Sequence, residues 1–256
     1  SSKELLAYND ADWLEAFTKK VFQSGFVWRV VENKWPGFRE VFFDFAIEKM
    51  LMLPDEMLAQ KAQDPRIIRN GSKVLTIRHN ALMIHELAQQ HGSFAAMVAH
   101  WPSDNIIGLW DLLKKRGARL GGNTGAYALR AMGKDTFLLS QDVEAYLRAY
   151  QVIDGGLTSK SSLAKIQAQF NLWQQQSGLS MQQISRIVAM SVGDNYAGLT
   201  GIANPDATDD GGAAVDLVGL AHVSAAFFLR GLRLAAGAAS VAPVSTGATT
   251  FLRLGF

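Results

Sequence analysis

From Asp12 to about Gly193 apolar residues recur at three- and four-residue intervals, and no stretch of useful length alternates apolar with polar residues. That pattern predicts an all-α architecture, a run of helices with short connections, each burying one stripe. Trp13, Phe17 and Val21 mark the first helix, with Asp10 or Asp12 as its N-cap. Lys34-Trp-Pro-Gly37 reads as a break, because proline removes an intrahelical donor. Met52-Leu-Pro-Asp55 opens a helix with Pro54 near its first turn. Asp64-Pro65 reads as the start of a third, with Ile67, Ile68, Val74, Leu75, Leu82 and Leu87 on one apolar face. Gly92 and Trp101-Pro-Ser-Asp104 punctuate the middle. Helices are then expected over Ile106 to Lys115, up to Ala131, over Asp142 to Tyr150 and over Ser161 to Gln175. A last one is capped by Ser180 and ends near Val192.

Beyond Gly193 the character changes. Asn204-Pro-Asp-Ala-Thr-Asp-Asp-Gly-Gly212 is turn-rich and polar, as a linker is. Two parts are therefore expected: a helical domain over residues 1–193 and a Gly/Ala-rich C-terminal extension over 194–256, poorly ordered or loosely docked. Ala213 to Ala236 is apolar, but Asp216, His222, Arg230 and Arg233 interrupt it, whereas a membrane span needs about 20 mostly apolar residues without such charges. Ser1 to Asp10 lacks a basic run followed by an apolar stretch and a small-residue cleavage site. The expectation is a cytoplasmic monomer with no membrane partner.

Cysteine is absent, which excludes disulfides, thiolate nucleophiles and sulfur-ligated zinc. His79, His85 and His91 are spaced by six, not by the four that sets two ligands on one helix face. Neither a metal nor a cofactor is expected. A net charge of +2 does not announce a nucleic-acid partner, but Lys114, Lys115, Arg116 and Arg119 crowd against a glycine pair. Such a cluster also suits a solvated helix C-terminus, where cations are favoured.

Leu120-Gly-Gly-Asn-Thr124, opening a helix, offers backbone N–H groups at Gly121, Gly122 and Thr124 to a phosphate. Lys114, Lys115 and Arg116 beside it add attraction that does not depend on base sequence. A glycine turn that merely caps a helix in an unrelated all-helical hydrolase is the plain alternative.

Three blocks occur in the order Phe22-Gln-Ser-Gly-Phe-Val-Trp28, then Arg66-Ile-Ile-Arg69 with Lys73, then Lys114-Lys-Arg-Gly117 with the turn to Thr124 and Tyr127. Order and spacing together resemble the DNA-3-methyladenine glycosylase I family of helix-hairpin-helix DNA glycosylases, over about Asp12 to Val143. The helices up to Gly193 look like a subfamily extension. The resemblance implies double-stranded DNA with a damaged, alkylated base as partner, and monofunctional hydrolysis of the N-glycosidic bond in base excision repair.

What the resemblance implies residue by residue is mixed. Trp28 matches the stacking tryptophan of the base pocket, and Tyr8, in Tyr8-Asn-Asp10, matches an N-terminal tyrosine whose spacing is shorter here. Lys20 occupies the position of the base-reading carboxylate, eight residues before Trp28, which reverses the charge. A protonated lysine repels a cationic base and donates but does not accept, so a neutral lesion with carbonyl acceptors suits it better. Ser140 falls where the wider superfamily carries a catalytic aspartate, and Asp142 is either its displaced substitute or the N-cap of the next helix. Lys20 is an alternative Schiff-base amine, but the resemblance argues against it, since lyases of that superfamily carry their lysine in the hairpin, where Asn123 stands here. The family's zinc ligands are missing, and the helices after Tyr150 would tie the core together instead, through Phe170, Leu172, Trp173, Ile184 and Ile187. A catalytically inactive DNA-binding or damage-sensing protein of the same fold is the competing expectation.

Overall fold

The computed structural model describes residues 2–192 of the 256-residue chain. The expected linker, the 194–256 extension and the apolar stretch from Ala213 lie outside them. Every regular element among the described residues is helical: α1 (Ser2–Leu6), α2 (Asp10–Gln23), α3 (Trp28–Val41), α4 (Ile47–Met52), α5 (Asp55–Lys61), α6 (Gly71–His91), α7 (Phe94–His100), α8 (Ile106–Arg116), α9 (Asn123–Ala131), α10 (Gln141–Ala149), α11 (Lys160–Ser177) and α12 (Met181–Met190). Single tight turns at Phe43–Phe45 and Ser103–Asn105 separate some of them. No described helix is long and apolar enough to cross a membrane.

The longest helix, α6, is the axis of the N-terminal half, and α2, α4 and α7 pack on it. Val74, Ile77, Ala81 and Ile84 on α6 are fully buried, at the three- and four-residue spacing of one helix face. Leu75 and Leu82, expected on that stripe, are exposed; each lies one residue, about 100° of rotation, past a buried neighbour. Trp13 and Phe17 of α2 meet Phe94 of α7 at ring-centroid distances of 5.3 and 5.7 Å.

Helix boundaries differ from expectation at four places, each for a local reason. The N-cap of α2 is Asn9, and Asp12 closes the capping box by accepting from the Asn9 N–H. Helix α3 runs straight through Pro36. An interior proline costs about 3 kcal/mol, but Val31, Trp35, Phe38 and Val41 bury one continuous stripe across it. Helix α6 starts at Gly71 under an Asn70 cap, not at Asp64. Asp64 instead binds the N–H and guanidinium of its neighbour Arg66, and Gly37 lets the Arg66 carbonyl lie where a Cβ would collide with it. Helix α10 takes its cap from Ser140, whose hydroxyl accepts from the Val143 N–H, so Asp142 stands in the first turn rather than at the cap.

The helices after Tyr150 do tie to what precedes them. Gln167 of α11 accepts from the Ile107 N–H at 3.1 Å and so satisfies a donor at the start of α8. Asp135 accepts from the Met181 and Gln182 N–H groups at 3.0 and 2.9 Å, capping α12 from the loop after α9. Phe170, Trp173 and Ile184 are buried, whereas Leu172 lies at the surface.

Candidate base pocket and nucleic-acid interface

Helix α2 ends at Gln23 with its last carbonyls aimed at one ammonium. Lys73 of α6, only 6% exposed, donates to the carbonyls of Val21 at 2.6 Å, Ser24 at 2.5 Å and Phe22 at 3.4 Å. A cation there offsets the negative end of the helix dipole and satisfies carbonyls that have no partner within the helix. Burial, with Arg119 adding to it, pushes the Lys73 amine below the usual lysine range. The turn Ser24 to Val27, with Gly25 at φ +111°, is thereby mounted on α6.

Trp28 opens α3 directly after that turn and remains 54% exposed; Val27 beside it is 69% exposed. The exposed tryptophan and valine stand side by side on the surface next to that turn. Tyr127 of α9 meets the indole edge-on at 6.4 Å. The Lys20 ammonium lies over the indole, 4.7 Å from the ring centre. It donates to Gln23 Oε1 at 2.8 Å; Gln23 Nε2 donates to Glu32 at 3.0 Å, and the other Glu32 oxygen pairs with Lys19 at 2.7 Å. Burial pushes the Lys20 amine down from its ordinary range, Lys19 pushes it the same way and Glu32 opposes them.

The glycine turn joins α8 to α9, and Tyr127 stands on the helix it opens. Gly122 is the backbone cap of α9 at φ +58° and ψ −138°, a region that residues with a Cβ avoid. Gly122 offers no side chain to bond the first amides of α9. Two buried or half-buried asparagines fix the turn from either side. Asn80 of α6 accepts from the Ala118 N–H at 2.7 Å and donates to the Ala118 carbonyl at 3.2 Å. Asn123 donates to the Leu139 carbonyl at 2.8 Å and accepts from the Leu139 N–H at 3.2 Å.

The four cations around the turn are not equivalent. Lys115 pairs with Asp111 at 2.5 Å and Arg116 with Glu86 at 2.7 Å, while Arg119 reaches the Ser72 hydroxyl at 3.2 Å. Lys114 is exposed, and its stem covers Gly121. Thr124 lies in the first turn of α9, where its N–H meets the Gly121 carbonyl at a long 3.4 Å.

The structure thus brings Trp28, Lys20 and Tyr127 together, with the turn at the head of the Tyr127 helix. Tyr8 meets Trp13 edge-on at 6.3 Å. Asp142 lies on α10, one residue beyond the start of that helix. Among the described residues no three His, Asp or Glu side chains gather as metal ligands do. Sequence reasoning gave no role to Asn80, Gln23 or Glu32. The one available signal was that Lys73 and Asn80 are polar residues set on the buried stripe of α6.

Residues 5–110 match the family model described as methyladenine glycosylase. That segment carries Tyr8, Lys20, Trp28, Lys73 and Asn80, and ends before the glycine turn. Among solved structures the chain is similar to a 3-methyladenine DNA glycosylase I, at 24% identity over 49% of this chain and 79% of that one, with a TM-score of 0.43. It is also similar to 3-methyladenine DNA glycosylase I from Staphylococcus aureus, at 21% identity over 52% and 81%, with a TM-score of 0.45. No curated protein matches the chain. The similarity to the methyladenine glycosylase family is thus carried by residues 5–110, less than half of the chain.

Proposed function

We propose that this chain is a monofunctional DNA glycosylase, which hydrolyses the N-glycosidic bond of a damaged base turned out of double-stranded DNA. The observation that carries the reading is the exposed Trp28 indole facing Tyr127 on the helix that the glycine turn opens. A base inside a duplex must be extruded before its bond is attacked, and an aromatic platform receives it. The first amides of α9 and the Lys114 ammonium hold the strand. The segment up to residue 193 is the working part, acting as a cytoplasmic monomer in base excision repair.

The chain's own residues set the chemistry. Neither Ser140, used as a helix cap, nor Lys20 supplies a carboxylate. Hydrolysis then rests on holding the base by stacking and hydrogen bonds while water reaches the sugar carbon. Asn123, with both halves of its amide committed to Leu139, offers no amine for a Schiff base. Incubation with duplexes bearing one lesion each, followed by chromatography of released bases, tests the reading. Free base with an intact strand is expected, and borohydride trapping of a covalent adduct would overturn monofunctional hydrolysis.

One observation favours a second reading, a DNA-binding protein of the same fold without catalysis: both positions where a carboxylate is sought are occupied by other residues. It predicts salt-sensitive duplex binding with no base released from any lesion.

A further inference from the structure

The charged group placed over the Trp28 indole is a donor, the Lys20 ammonium. An ammonium carries three N–H bonds, and Lys20 directs one to Gln23 Oε1, leaving the others beside the indole. The Gln23 amide cannot reverse to present its oxygen elsewhere, because its nitrogen is held by Glu32. Glu32, the carboxylate of this chain of contacts, has one oxygen on Gln23 and the other on Lys19. A positively charged ring arriving at Trp28 therefore meets a cation seated over the indole, while the nearby carboxylate is already engaged by Gln23 and Lys19.

We propose that the Trp28 site, if it is the seat of an everted base as read above, selects uncharged bases presenting a ring carbonyl and rejects cationic ones. A carbonyl oxygen accepts from the spare Lys20 N–H bonds, a charge-assisted contact that an uncharged base lacking a carbonyl does not make. The indole strengthens the preference, since its electron density is already drawn toward the ammonium on one face.

The test uses the full chain and duplexes carrying hypoxanthine (uncharged, one ring carbonyl), ethenoadenine (uncharged, none) or 3-methyladenine (cationic). Hypoxanthine release at least tenfold faster than either other base is expected. Lys20→Gln should narrow the hypoxanthine to 3-methyladenine ratio, and Lys20→Glu should lower it at least tenfold. Release of 3-methyladenine as fast as hypoxanthine, or a ratio unmoved by both variants, overturns the inference while leaving the glycosylase reading intact. If no base is released, that reading fails by itself, and selectivity is read from affinity instead. Tighter binding of the hypoxanthine duplex than the 3-methyladenine duplex supports the inference, and equal binding overturns it.

Discussion

Asn80, buried on α6, holds Ala118 of the glycine turn by both its N–H and its carbonyl. One amide side chain bonded to both the N–H and the carbonyl of a residue fixes the two peptide groups that flank its Cα. Asn80→Leu keeps the volume and removes both bonds, leaving Ala118 groups without partners. The expected loss is about 2 kcal/mol of stability, within the range for unsatisfied buried groups, read from urea denaturation. Duplex affinity should fall further than this loss accounts for, because the turn is no longer held.

Trp28→Ala should separate folding from recognition. The indole is 54% exposed, so its removal should change stability by roughly the ±0.5 kcal/mol of an ordinary surface substitution. Base stacking on an aromatic side chain is worth about 1–3 kcal/mol, so base release and lesion affinity should drop about tenfold to hundredfold. Unchanged lesion affinity in a folded variant would remove Trp28 from the interface.

The cations at the turn should differ in the salt dependence of binding. Each phosphate neutralised steepens the fall of log affinity with log salt by about 0.9. Lys114→Ala, at a residue with no acidic partner among those described, should flatten the slope by about that amount. Lys115→Ala and Arg116→Ala should flatten it less, because Asp111 and Glu86 already neutralise those charges. Equal effects from all three would mean that these ion pairs open on binding.

Asp64 provides a pH test of the loop before α6. The Arg66 guanidinium and N–H hold its carboxyl down at about 2. A folded value below the unfolded one near 3.8 stabilises above about pH 4, and that stabilisation is lost as pH falls through about 2. Carbon-detected NMR of the carboxyl should show a midpoint near 2. Wild type should exceed Asp64→Asn in urea midpoint at neutral pH, with the gap closing in acid.

Periodicity carried the fold class, because helical spacing of large apolar residues such as Trp13, Phe17 and Val21 leaves few alternatives. The boundaries it missed were decided by tertiary contacts. Pro36 looked like a stop, yet the stripe from Val31 to Val41 outweighs its penalty. At the site, Trp28 and Lys20 were legible as residues, and the 4.7 Å between ammonium and ring centre was not. The Gln23–Glu32 relay and the Asn80 clamp join residues 9 and 38 apart in the chain. Pairings of that kind leave no periodic trace in a single sequence.

Lys73 has an electrostatic consequence beyond holding a turn. The C-terminal end of a helix carries about half a negative charge, and α2 ends immediately before the segment that presents Trp28. Left bare, that end would repel an approaching phosphodiester strand. With an ammonium seated among its carbonyls, the sign of that end is reversed from within, and a polyanion meets net positive charge where the backbone alone would have turned it away.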